Sequence, residues 1–345
     1  MKPLTIGGRE VAAGESAKIE LPLADLYTHS ALTMPVQVRR GRRDGPTLFV
    51  SAALHGDELN GVEIVRRVLR HKALSRLRGT LIAVPVVNVH GFVSRSRYLP
   101  DRRDLNRSFP GNTSGSLAAR IAHTFAEEVV RQSDYGIDLH TGAIYRSNFP
   151  QLRADLDQPG VAELAGAFGA PLILDSKPAD GTLRHLTRAE GLPVIVYEAG
   201  EALRFDEDSI RVGVAGVLNV LRHLGMIAAG RKRAPLRKPV TARGSSWVRA
   251  ANSGILRTTV ALGQHVAEGA LLGYIADTYG EQETTLLAPF EGIVVGKLNM
   301  PLVFEGEAVY HLARTARAAA VAADWEQLRE EENPPDLGAD EPAIL

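Results

Sequence analysis

The stretch Leu54-His55-Gly56-Asp57-Glu58 constrains this chain more than any other, because an apolar run stops there and a helix starts. Before it, residues 47–53, from Thr47 through Phe49 and Val50 to Ala53, read as a buried strand: short, largely apolar and bounded by Gly45-Pro46. After it, Val62, Ile64, Val65, Val68 and Leu69 recur at helical spacing, and Asp57 and Glu58 suit the positive end of a helix. An imidazole and a carboxylate three residues apart on such a turn can point at one spot, a combination that suits zinc. Taken alone, the pair fits an ordinary turn with a capping acid equally well.

A second stretch, Tyr135-Gly136-Ile137-Asp138-Leu139-His140-Thr141-Gly142, also ends an apolar segment on a histidine and follows it with small residues. In open α/β sheets, ligands gather outside the carboxyl ends of the strands. His55, Glu58 and His140 would then form a His₂Glu set holding one zinc ion per chain, with a coordination position left for water. The spacing is not H-E-x-x-H, which excludes the thermolysin-type helix. A short first spacing with a distant third ligand is the carboxypeptidase arrangement.

Four motifs carry a family resemblance: His55-Gly56-Asp57-Glu58, Arg103-Asp104-Leu105-Asn106-Arg107, Asp138-Leu139-His140-Thr141-Gly142 and Tyr197-Glu198-Ala199-Gly200. In that order they resemble the succinylglutamate desuccinylase/aspartoacylase family, which shares the zinc-carboxypeptidase fold. The resemblance implies that Asn106 and Arg107 grip a substrate carboxylate, as a guanidinium does with paired N–H bonds. It implies further that Arg97 lies near the scissile carbonyl to support an oxyanion, and that Arg188 helps hold an acidic substrate. Arg153 is placed near the same mouth.

Glu198 ends the apolar run Val194-Ile195-Val196-Tyr197, and Ala199-Gly200 leave space around it. A carboxylate so placed beside a metal suits a general base that takes a proton from water and gives it to a leaving amine. The expected reaction is removal of an acyl group from the amino nitrogen of a small N-acyl amino acid or related carboxylate-bearing amide. A metallocarboxypeptidase acting on short peptides uses the same metal site and is the alternative.

Composition removes several other classes. Forty basic and forty acidic side chains balance, which argues against nucleic-acid or anionic-surface binding. Cysteine is absent, so no disulfide, thiolate ligand or thiol nucleophile exists. The N-terminus has no apolar signal segment, and no apolar run approaches the length of a membrane span. These features read as a soluble cytoplasmic enzyme with a small-molecule substrate and no membrane partner; a homo-oligomer is compatible with them.

The fold class expected is α/β, a mostly parallel or mixed sheet with helices on both faces, plus a small all-β C-terminal barrel. Residues 1–238 form the catalytic domain, 239–314 the all-β unit, and 315–345 a short helix and an acidic tail. Short β-like runs in residues 1–43 suggest leading strands at a sheet edge. Strands are expected over 79–88, 136–139, 171–174 and 192–197, and helices over 116–132, 159–168 and 209–226. A long polar loop spans 90–113. The basic, proline-containing stretch 230–239 marks the boundary. Beyond it, Gly-punctuated runs resemble the biotinyl/lipoyl-carrier barrel, but the hairpin at 277–283 has no lysine to carry such a group. The expected role of this unit is packing on, or oligomerising, the catalytic domain.

Overall fold

The structure, a computed structural model, describes residues 3–25, 27–229 and 239–331. Its centre is four parallel strands in the order Val194–Glu201, Tyr135–Gly142, Arg43–Ala52 and Arg78–Val84. Strands Ala31–Arg40 and Ser16–Asp25 continue the sheet antiparallel beyond one edge. Arg146–Ala154 lies antiparallel to the Glu198 strand on the other. The sheet is therefore mixed, with its parallel strands at the middle.

Those parallel strands are apolar on both faces, because helices cover both. Helices Asn60–Arg70, Val161–Phe168 and Glu207–His223 lay Ile64, Val68, Phe168 and Val217 against Val50, Ile137, Ile195 and Tyr197. On the opposite face, helix Leu117–Phe125, continued by a wider turn over Ala126–Val130, lays Ile121, Phe125 and Val129 against Phe49, Ile82 and Val84. Successive residues of one strand, Phe49 and Val50, thus serve two different cores.

The strand Arg146–Ala154 has no clear signature in the sequence, because Pro150 sits inside it and proline argues against a central strand. The structure resolves the conflict through register. Pro150 is absent from the paired positions on every neighbour, and falls where the pairing with the Glu198 strand shifts between Glu198 and Gly200. Its missing N–H therefore breaks no ladder.

Most of the expected boundary, residues 230–238, lies outside the described residues, as does the acidic tail beyond residue 331. From Val240 to Arg314 every described regular element is a strand. Glu283–Leu287, Leu271–Ala276, Gly254–Thr258 and Leu302–Val303 form a four-stranded antiparallel sheet. The lysine-free segment 277–282 closes its hairpin. The other strands do more than pack on the α/β core. Gly292–Leu298 pairs antiparallel with Arg146–Ala154, placing Gly296 opposite Asn148. Ala308–Arg314 and Gly244–Arg249 then extend the same sheet outward. The terminal helix Ala318–Glu331 sets Trp325 edge-on to Phe149, with ring centroids 5.2 Å apart. Among the described residues no helix is long and apolar enough to cross a membrane.

Candidate metal centre and active site

The Arg43–Ala52 strand ends in a turn in which Ala53 adopts a left-handed conformation (φ 47°) and the chain reverses into the Asn60–Arg70 helix. Gly56 is required there: a Cβ at this position would lie 1.9 Å from the carbonyl carbon of Gly91. That close approach seats His55 and Glu58 in the interior, at 4% and 2% exposure. Asn60 locks the turn to the end of the Glu198 strand and the segment after it, donating to the Ala199 carbonyl (3.1 Å) and accepting from the Asp206 N–H (3.0 Å).

His140 reaches the same point from the end of its own strand. Its Nδ1 lies 2.7 Å from Glu58 Oε2, and His55 Nδ1 lies 2.7 Å from Glu58 Oε1. One ligand atom from each of His55, Glu58 and His140 falls within 4.8 Å of the others, and all three residues are buried. The far nitrogens are taken by carboxylates: His55 Nε2 by Asp104 (3.1 Å), His140 Nε2 by Asp138 (2.8 Å). Asp138 in turn accepts from Ser51 Oγ (2.7 Å).

This donor set fits a metal ion. Imidazole ligands of metals commonly give their other nitrogen to a carboxylate, which fixes the tautomer and leaves the inner nitrogen free to coordinate. The electrostatics also favour positive charge at this point. Burial opposes ionisation of Glu58, yet His55 and His140 hold it well below the usual carboxylate range. Burial likewise opposes protonation of His140, yet Asp138 and Glu58 push it well above the ordinary histidine value. A site that draws protons onto buried imidazoles in this way is one in which a cation can replace them.

Arg97 faces His55 and Glu58 from the long polar loop. Its guanidinium is 3.3 Å from Glu58 Oε1 and 3.2 Å from His55 Nδ1, and donates to Asp104 Oδ2 at 3.0 Å. Asp104 also accepts from the Asn106 N–H (2.8 Å). Asn106 Oδ1 accepts from the N–H of Leu183 (2.9 Å), tying the arginine loop to the start of helix Leu183–Ala189. Arg107 is exposed and donates to the Asn106 carbonyl (2.6 Å).

Glu198 stands beside His140, its register partner on the adjacent parallel strand. Oε2 accepts from Asn148 Nδ2 (2.8 Å), and Oε1 forms an ion pair with Arg153 Nε (2.7 Å) whose N–H is not aimed along the contact.

Arg188 and Arg184 separate clearly. Arg188 pairs with Asp155, which Lys177 also holds (2.9 Å). Arg184, one helical turn earlier, is the arginine turned inward. Burial and the nearby Arg153 lower its pKa to about 10, against the pull of Glu198 and Asp138. The Ser176 carbonyl accepts from it at 2.9 Å. Asp104 and Asp138 stand inside the family-like motifs without a role that the sequence assigns, and nothing in the sequence marks Arg184 or Asn148. The available signal for Asp138 was its place two residues before His140 on a strand, which puts both on one face. For Arg184 no local signal distinguishes it from Arg188.

Fold and site together are those of an amide-bond hydrolase of the zinc-carboxypeptidase-like type. The catalytic-domain model of the succinylglutamate desuccinylase/aspartoacylase family matches residues 44–224, and the chain belongs to that family. It is 29% identical to the N-alpha-acetyl-L-2,4-diaminobutyric acid deacetylase of Halomonas elongata over 75% of this chain and 79% of the relative. The product-bound ectoine utilization protein of Ruegeria pomeroyi has the same fold, with a TM-score of 0.80 at 24% identity over 91% of this chain and 99% of that one. A succinylglutamate desuccinylase/aspartoacylase from Rhodobacter sphaeroides matches with a TM-score of 0.77 at 25% identity, over 87% and 95% of the two chains.

Proposed function

We propose that this protein is a zinc-dependent deacylase that frees the amino group of a small, carboxylate-bearing N-acyl amino acid. The observation that carries this reading is the convergence of His55 Nδ1, Glu58 and His140 Nδ1, each histidine backed by a carboxylate on its far nitrogen. Zinc held there would supply positive charge that acidifies a water and polarises the acyl carbonyl.

The chain's own groups account for the remaining steps. Glu198 takes a proton from the attacking water and returns it to the leaving amine nitrogen, freeing a carboxylic acid and an amine. Asn148 and Arg153 hold its carboxylate at the strand end for both transfers. Arg97, beside Glu58 and His55, supplies donors to the oxygen that becomes negative as the carbonyl is attacked. Arg107 and Asn106 anchor the substrate carboxylate from the loop side. Arg184, inward-facing and destabilised as a cation by burial and Arg153, gains from an anion beside it, so we assign the acid-holding role to it rather than to Arg188. The lack of cysteine and the charge balance suit a cytoplasmic enzyme.

The test is metal-stripped protein reloaded with zinc and assayed for amine release from N-acetyl and N-succinyl amino acids, alongside short peptides with free and blocked C-termini. N-acetylated diamino acids come first, given the Halomonas relative's name. Stoichiometric zinc binding with turnover of N-acyl amino acids is expected. Cleavage of free-ended peptides alone would make the protein a carboxypeptidase, and failure to bind zinc would remove the reading altogether.

A further inference from the structure

The strand that carries Glu198 does not end cleanly. Its pairing shifts on both sides immediately after Glu198, so the direction of that side chain depends on what holds the following residues. Three residues on, Glu201 is 4% exposed; Ser147 Oγ (3.3 Å) and Arg204 (3.5 Å) hold it from within the α/β core, and a shorter contact reaches it from outside. Asn299, in the turn after the Gly292–Leu298 strand of the C-terminal unit, donates through Nδ2 to Glu201 Oε2 (2.7 Å) and to Ser147 Oγ (2.7 Å). Its backbone N–H donates to the Tyr145 carbonyl (2.7 Å). Tyr145, in a left-handed conformation (φ 64°), donates its own N–H to Glu201 Oε1 (3.0 Å).

One residue beyond Ser147, Asn148 donates to Glu198 itself, and the C-terminal strand pairs with Arg146, Ser147 and Asn148 along this edge. Asn299 therefore grips both strands that place the Glu198 carboxylate, just beyond the point where their registers slip. We propose that Asn299 is a positioning residue for Glu198, acting through Glu201 and the Ser147–Asn148 strand edge. The proposal rests on the reading of Glu198 as the general base.

The test uses full-length, zinc-loaded protein and an N-acyl amino acid that the wild type turns over. Asn299→Ala is expected to lower kcat about 10- to 100-fold, the scale of a small misplacement of a catalytic group. KM should stay within about threefold and zinc content should not change. In a Glu198→Gln background the same substitution should cost almost nothing further, since a group that acts only through Glu198 has nothing left to position. His265→Ala, on the surface of the same unit where His265 meets Glu291, should leave turnover unchanged. Should the alanine variant not fold, Asn299→Ser, whose short side chain cannot reach both Ser147 and Glu201, is judged by the same criteria. Wild-type kcat in a folded Asn299 variant, or a full additional loss in the Glu198→Gln background, would overturn the proposal. Unimpaired turnover of Glu198→Gln alone would instead remove the reading of Glu198 on which it rests.

Discussion

His140 and Glu198 are register partners on adjacent parallel strands, so a histidine of the His55–Glu58–His140 cluster and the neighbouring carboxylate project from the same edge and the same face of the sheet. Neither is placed by a flexible loop. Asp138 and Ser51 form the row behind them, also in register and joined by a 2.7 Å hydrogen bond. A constellation built on paired strand ends is held more rigidly than one built on loops, which suits chemistry that depends on small displacements.

The His55–Glu58–His140 cluster gives the first prediction. His140→Ala should abolish stoichiometric zinc binding, because two ligands remain where three are needed. Asp138→Ala leaves the ligands in place but frees the His140 ring, and zinc affinity measured by chelator competition should fall about 10- to 100-fold. Full occupancy in the His140 variant would place the third ligand elsewhere.

Glu198→Gln keeps the shape of the side chain and its contact with Asn148 while removing the proposed base. Zinc content should stay at one per chain, and kcat should drop by roughly 10²-fold or more, the usual worth of general acid–base catalysis. Turnover at the wild-type rate would mean that another group handles the proton.

The two arginines of helix Leu183–Ala189 should part company. Arg184→Ala and Arg107→Ala are each expected to raise KM for a carboxylate-bearing substrate with metal still bound. Arg188→Ala should leave KM near wild type, because its partner is Asp155. Steady-state kinetics on the three variants decides it: an Arg188 effect equal to that of Arg184 would refute the assignment.

His311, in the C-terminal strand Ala308–Arg314, is buried and stacks on Trp247 at 4.5 Å. Burial first and Arg153 second push its pKa down to about 4 from 6.5, with Glu198 opposing. Between those two values the unfolded chain binds a proton that the folded protein does not, so stability should fall as pH drops from about 6.5 towards about 4. At about 1.4 kcal/mol per pKa unit the loss amounts to a few kcal/mol. Denaturant unfolding of wild type and His311→Leu across this range should show a shallower slope in the variant. The difference between the two cancels the contribution of His55 and His140. Parallel curves would show that His311 is not held neutral.

Local sequence singled out His55, Glu58 and His140, because each stands at or just after the stop of an apolar run, and the structure brings the three together. It also marked the longer helices, whose apolar stripes at Ile64/Val68, Ile121/Phe125 and Val217/Leu221 leave one face to bury, but not the short helices Val89–Ser94 and Leu183–Ala189. What needed the tertiary structure were the partners of those groups. Asp104 reaches His55 across 49 residues, and Asn148 reaches Glu198 across 50. That Arg184 lies near Glu198 and Asp138 while Arg188 pairs with Asp155 turns on which side of a short helix is buried, and no pattern of seven residues encodes that. The C-terminal unit reads as a separate module because its texture is all β. Yet sheet pairing is made by backbone groups, which carry no sequence signature, and only the folded chain brings Gly296 opposite Asn148 and Asn299 onto Glu201.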